Sequence, residues 1–335
     1  MPLIHMVIAD RDVEYVQRLT QWFRENKSQQ FQISAFTEEE SFNRYLLTCD
    51  SDVDVFLIEE KFVNAELTQK GNFIILGKPI PNLPSVQKYQ AASSMCPAIL
   101  SLMSQWNHQP EWESTCKSNI VVCFSPETQL KSSMALCLAG ISQDHLYISM
   151  EAFPFYSLQN ESSNRRSLSD ILYHIKASKG NIAFAMESSV CCSDTGINFI
   201  PPMDNPKDLW ELTSKENGTL MESLVSWGHF TNIILDIECN TSPMVLQWLE
   251  LASCVVIPFT NRHPIPILKL KNMLSGLSNS TPDKLRWVLA GENGDDMFLQ
   301  HFDDLHFLQW LNSYSAGNFD RLPEPAVEQL KALLP

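Results

Sequence analysis

Short, nearly continuous apolar runs of strand length constrain this chain more than any other feature: residues 53–58 with Asp54 as their one polar interruption, 73–76, 232–235 behind a leading Asn232, and 254–258. A strand that is wet on one face alternates apolar and polar residues, whereas a strand covered on both faces has no such need. Runs of this kind therefore predict parallel sheets with helices packed on each side. The segments between them have helical spacing. Residues 3–9 predict a first strand, 13–25 a helix with Val16, Leu19, Trp22 and Phe23 on one face, 31–35 a second strand and 39–47 a second helix. The alternation restarts with a strand at 120–124, a helix at 132–141, a strand at 146–150 and a helix at 168–178, followed by strands at 197–200, 232–236, 254–258 and 285–290. The expected class is α/β, with two doubly wound, mostly parallel three-layer domains.

A length of 335 residues fits two domains. Residues 107–118 are polar, contain Pro110 and lack periodicity, so they predict a linker between a domain at 1–106 and a second at 119–335. The net charge of −15 sets a repulsive field against a nucleic-acid track, and no nucleic-acid partner is expected. The start of the sequence has no basic leader pattern, and no apolar run approaches the roughly 20 residues of a membrane span, so a cytoplasmic protein is expected. The 9 cysteines include no Cys-x-x-Cys pair and the 8 histidines no ligand spacing, so no metal site is expected. The adjacent Cys191 and Cys192 read as loop thiols, with a redox pair as the alternative.

In doubly wound sheets ligands sit beyond the carboxyl ends of the strands. In the first domain those positions carry Asp10, Arg11 and Asp12 after the first strand, Glu59 after the third, Gly77 after the fourth, and Lys88 shortly beyond. Over residues 3–105 the layout resembles the receiver domain of two-component signalling. Carried over residue by residue, Asp10 matches one member of the receiver's acidic pair and Arg11 replaces the other. Glu59 stands in the phospho-acceptor place, Gly77 in the hydroxyl place and Lys88 in the lysine place. A cation in the metal-binding pair, an acceptor one methylene too long and a missing hydroxyl argue against phosphorylation and for a pseudo-receiver used for contacts. Two expectations stand for Glu59: an ion pair with Lys88 or Arg11 that locks one conformation, or a solvated acidic rim.

Residues 119–136, NIVVCFSPETQLKSSMAL, run in the order strand, short loop, Lys131-Ser132, helix, the order of a phosphate-binding loop. Such a loop needs glycines so that its backbone N–H groups can turn inward. Here there is none between Ile120 and Ala139, and Glu127 puts a negative charge where polyphosphate would lie. Gly77-Lys78 is a decoy, because Pro79 takes the place of the Ser or Thr. Two further strands end in an acid, one in Asp236 and one in Glu151, as strands do that present a carboxylate to a bound nucleotide.

With LYISME at 146–151, SLSDILY at 167–173, GINFIPP at 196–202, NPKDLWEL at 205–212 and NIILD at 232–236, this order of elements resembles the MinD/ParA-like ATPases. Within them it resembles the TadZ/CpaE branch of pilus-assembly proteins, in which an atypical receiver precedes the ATPase domain. The resemblance implies a cofactor-binding pocket of Lys131, Ser132, Glu151 and Asp236, with ATP and Mg²⁺ as its ancestral ligands, and a face-to-face homodimer. Active relatives have a glycine-rich loop with an early signature lysine; only Lys131 and Ser132 match its end. The chain is thus expected to have lost ATP hydrolysis and tight ATP binding. Its expected role is a scaffold or localisation protein for Flp/Tad-type pilus or secretion machinery, recruited at most peripherally to the inner membrane face. The alternatives are an ATPase with an unusual loop and a signalling regulator acting through the first domain. Relatives often carry a C-terminal amphipathic anchor; here Val327, Leu330 and Leu334 lie at helical spacing with little positive charge, which predicts packing onto the chain's own domain.

Overall fold

In a computed structural model the structure describes residues 3–28, 30–48, 53–78, 80, 83–106, 116–156, 158, 166–178, 181–277, 282–291, 296–302, 304–311 and 322–335. Residues 107–115 of the expected linker lie outside the described residues. The chain forms two compact units, one of Met1–Thr115 with Ala177–Ser188 and the other of Cys116–Lys176 with Ser189–Pro335.

The first unit holds a parallel sheet of β1 (Ile4–Ala9), β2 (Phe31–Phe36), β3 (Val55–Glu59), β4 (Phe73–Leu76) and β5 (Ser85–Val86), in the order β2-β1-β3-β4-β5. This is the order of flavodoxin-like sheets, whose switch point lies between β1 and β3. Alternate residues of β1 go to opposite faces: Ile4, Met6 and Ile8 join Leu19, Phe23 and Ile99 on one side, Val7 and Ala9 join Phe42 and Phe62 on the other. Phe184, from the helix Ile182–Ser189, is fully buried in the first of these clusters. The sequence reading places that segment in the second domain and assigns it no helix; by its packing it belongs to the first unit. Among the described residues no helix lies between β4 and β5.

The second unit is built on β6 (Asn119–Cys123), β7 (His145–Met150), β8 (Cys191–Cys192), β9 (Asn198–Ile200), β10 (Asn232–Ile237), β11 (Cys254–Phe259), β12 (Leu285–Ala290) and β13 (Leu305–Leu308). Their order is β13-β12-β11-β6-β10-β7-β9-β8, and every pairing is parallel except β8 with β9. Cys191 and Cys192, expected in a loop, form the antiparallel edge strand β8 as free thiols. Behind the sheet runs the helix Thr128–Gly140, in which every residue from Leu130 to Ala139 is buried, Lys131 among them. Its first helical residue is Thr128, not Ser132 as expected, so Lys131-Ser132 sits one turn inside the helix rather than at its entrance. The C-terminal helix Glu324–Lys331 buries Leu330 in the same core, with Leu333 just beyond it, so its apolar side faces the unit as expected. Among the described residues no helix is long and apolar enough to cross a membrane.

Candidate functional site

The carboxyl ends of β6, β7 and β10 converge on one cluster. Parallel pairing sets Asp236 of β10 level with Cys123 of β6 and Ser149 of β7, so its side chain meets the first turns of the helix that follows β6. Lys131 from that helix forms ion pairs with Asp236 and, at 2.7 Å, with Glu151 just beyond β7. Lys131 is 0% exposed and Asp236 0%. The Tyr147 hydroxyl donates to the other Asp236 oxygen at 3.0 Å. Burial alone would strip the Lys131 ammonium of its proton, but Asp236 and Glu151 outweigh it and hold the pKa above its ordinary value. Burial and the neighbouring Asp236 push the Glu151 carboxyl up against the pull of Lys131. Two carboxylates and one ammonium in a dry site leave one surplus negative charge, and the Glu151 carboxyl is pushed up by it.

Glu127 ends the loop after β6, and its carboxylate accepts the Thr260 backbone N–H at 2.8 Å and the Thr260 hydroxyl at 3.0 Å. It thereby binds the loop after β6 to the loop after β11. The sequence shows the acid but not its partner, which lies far along the chain. The structure places Lys131, Glu151 and Asp236, which the resemblance groups in one pocket, in direct contact. Ser132 lies beside Lys131 in the chain, and its buried hydroxyl makes no hydrogen bond. These residues do not fit a nucleotide with its metal. The lysine points into two carboxylates, the loop's strongest anion is already bound by backbone, and the helix starts before the Lys-Ser pair.

The pocket of the first unit sits at the ends of β1, β3, β4 and β5. Asp10, fully buried after β1, pairs with the Lys88 ammonium at 2.8 Å and accepts the Asp12 N–H at 2.8 Å. Asp12 caps the helix Val13–Asn26 through the Tyr15 N–H at 3.0 Å and accepts the Tyr89 hydroxyl at 2.9 Å. These two bonds draw the Asp12 carboxyl below its ordinary range. Lys88 lies over the Tyr15 and Tyr89 rings, 4.9 and 5.0 Å from their centres, and the two rings meet edge to face at 5.2 Å. Burial pushes the Tyr15 hydroxyl up to about 12. Tyr89 has φ 65°, a left-handed backbone that costs a side-chain-bearing residue about 1–2 kcal/mol.

The ion pairs expected here are corrected. Lys88 joins Asp10, not Glu59, and the Arg11 side chain joins Glu39, while Glu59 accepts the Arg11 backbone N–H at 3.2 Å. Position explains the difference, since Asp10 is the deeper carboxylate and leaves Lys88 no second reach to β3. Gly77 follows β4 at φ 150°, a conformation that L side chains rarely adopt, so the turn itself calls for glycine there. Tyr15 and Tyr89 are the residues that sequence reasoning missed. A tyrosine directly after Lys88 is visible in the sequence; its positive φ is not.

No protein-family model matches the sequence, and no curated protein matches it. Among solved structures the chain is similar to a ParA family ATPase from Chlorobium tepidum TLS, at 12% identity over 66% of this chain and 96% of that one, with a TM-score of 0.49. The similarity is one of backbone shape. The chain is likewise similar to the MinD cell division protein of Aquifex aeolicus, at 11% identity over 64% of this chain and 96% of that one, with a TM-score of 0.47. A plasmid partition protein from Borrelia burgdorferi is 14% identical over 65% of this chain and 100% of its own, with a TM-score of 0.42. The α/β architecture stands on the chain's own sheets.

Proposed function

We propose that this protein is a non-catalytic scaffold of the MinD/ParA type, in which a pseudo-receiver is joined to a nucleotide-binding fold that no longer needs nucleotide. The observation that carries the reading is the closure of Lys131 between Glu151 and Asp236. A lysine presented to phosphate would have to leave both carboxylates in a dry site, at a cost of several kcal/mol. Glu127, held by Thr260, adds a fixed negative charge beside the place where phosphate would lie. The chain supplies both the cation and the anion that an ATP–Mg²⁺ complex would otherwise contribute. Asp10 and Lys88 close the first unit's pocket in the same manner. The sequence resemblance to TadZ/CpaE supports a role in localising Flp/Tad-type pilus or secretion machinery through protein contacts, as a homodimer. Equilibrium binding of labelled ATP with Mg²⁺ to the intact chain tests this: no saturable binding is expected up to millimolar concentration. Micromolar binding that disappears in Lys131→Ala would establish the rival reading, an ATPase with an unusual loop.

A further inference from the structure

Beyond the ends of β7 and β10 the second unit has a cleft of about 330 Å³, whose lining includes none of Lys131, Glu151 and Asp236. Its apolar wall includes Met150, Leu209, Val245 and Trp248, and its polar wall Thr213, Asn217 and Ser242. None of the lining residues is lysine or arginine, and Glu238 is the single charged one. The hydrogen-bonding groups in this wall are largely committed. Asn217 accepts the Trp248 indole N–H at 2.7 Å and donates to Gln247 at 2.6 Å, which fixes the wall in one shape.

Two helices begin at the cleft, Ser214–Trp227 behind Thr213 and Pro243–Leu251 behind Ser242. Each helix start contributes roughly half a positive charge. The first is answered by Glu216, whose carboxylate accepts from the Thr213 N–H at 2.7 Å and the Thr213 hydroxyl at 2.8 Å. Both starts are also capped by their own side chains, Thr213 to Glu216 N–H and Ser242 to Val245 N–H. Glu216 lies outside the lining with Lys176 acting on it and Lys215 beside it in the chain, so the charge that faces the cleft is Glu238, and it favours a cation.

The rim is apolar and exposed. Trp210, which lines the cleft, is 60% exposed, and Phe153 is 80% exposed. Phe153 starts beside the cleft, because the preceding Ala152 N–H donates to Glu238 at 3.0 Å. Large aromatics held in water at the edge of a preformed cavity are the usual anchors of protein contacts.

We infer that this cleft docks a basic segment of a partner protein, which inserts an aromatic or branched aliphatic side chain while its cationic neighbours face Glu238. The inference rests on the reading that the chain acts through protein contacts, and names the chemistry of the contact. A net charge of −15 would speed the encounter with such a segment.

Fluorescence anisotropy on the intact chain tests it with three labelled decapeptides: lysines flanking a central phenylalanine, glutamates flanking the same residue, and lysines flanking alanine. The first is expected to bind saturably and each of the others about tenfold more weakly or not at all. Glu238→Gln keeps an acceptor for the Ala152 N–H while removing the charge, and Trp210→Ala removes a rim anchor; each is expected to weaken the first peptide several-fold without moving the thermal midpoint. Equal binding of all three peptides, preference for the glutamate peptide, no binding, or indifference to both variants would overturn the assignment. ATP binding is read separately, so failure of the scaffold reading and failure of the cleft assignment cannot be confused.

Discussion

Lys88 and Lys131 each reach back to a carboxylate at the end of a parallel strand, yet they do so in different media. The Lys88 side chain is 16% exposed, rests on two tyrosine rings and faces one deep carboxylate, Asp10, with the part-exposed Asp12 at 4.0 Å. The Lys131 side chain is 0% exposed and faces two. A pair near water can exchange its partner for solvent, so its removal leaves a small deficit; a sealed triad has nothing to exchange with. The first pocket is therefore a latch on a loop, and the second is part of the core.

That contrast sets the largest expected effect. Lys131→Met leaves two buried carboxylates facing each other, and removal of one partner from a buried ion pair costs about 3–5 kcal/mol, or a fall in Tm of roughly 10 °C for a domain of this size. Lys88→Met leaves the buried Asp10 carboxylate with the Asp12 N–H and opens the part-exposed place of the ammonium to water, and should cost less, about 1–3 kcal/mol. Thermal and urea melts of the two variants beside Lys131→Arg and Lys88→Arg, which keep the charge, measure both. Equal losses at the two sites would erase the distinction between latch and core.

The middle effect is a pH dependence confined to the sealed site. The Glu151 carboxyl is held above its ordinary 4.5, so the folded chain keeps a proton that the unfolded chain releases. The stability this contributes is complete below about 4.5 and declines as pH rises through the folded value. Glu151→Gln removes the titration. The stability of the natural chain relative to this variant should accordingly fall as pH is raised from 4.5 toward neutrality. A difference that stays flat or grows over that range would show that the surplus charge is not carried by Glu151.

Much of this was legible in the residues. Nearly continuous apolar runs announced parallel sheets, because burial on both faces leaves no polar alternation, and the acids closing those runs located Glu151 and Asp236. The lack of glycine between Ile120 and Ala139 announced that the loop after β6 could not form a phosphate cradle. What stayed hidden depends on distance along the chain. Glu127 finds Thr260 only when β11 pairs beside β6, and Phe184 joins the first unit's core from beyond the next two strands, β6 and β7. Short elements such as β5 and β8, two residues each, have too few positions to show a period. The early start of the helix at Thr128 follows from the same missing glycines: without residues that favour an open loop, the backbone closes into helix before Lys131 and carries it inward.

The smallest effect belongs to the lid of the latch. Tyr89 sits at φ 65°, a conformation it would leave unless something held it. Its ring packs on Tyr15 and under Lys88, and its hydroxyl reaches Asp12. Tyr89→Phe keeps the ring contacts and removes only the hydroxyl, so the fold and the Asp10–Lys88 pair should survive with little change in Tm. The change should appear in the Asp12 carboxyl, which the Tyr15 N–H holds down first and the Tyr89 hydroxyl second. In an NMR titration the Asp12 pKa should rise toward its ordinary value of 3.8 yet stay below it, because the helix-capping bond to Tyr15 remains. No movement of Asp12 would mean that the hydroxyl does not close the latch and that the rings alone hold Tyr89 in its left-handed turn. A large loss of stability would mean that the first pocket is part of its unit's core after all, and the difference between the two lysines would vanish.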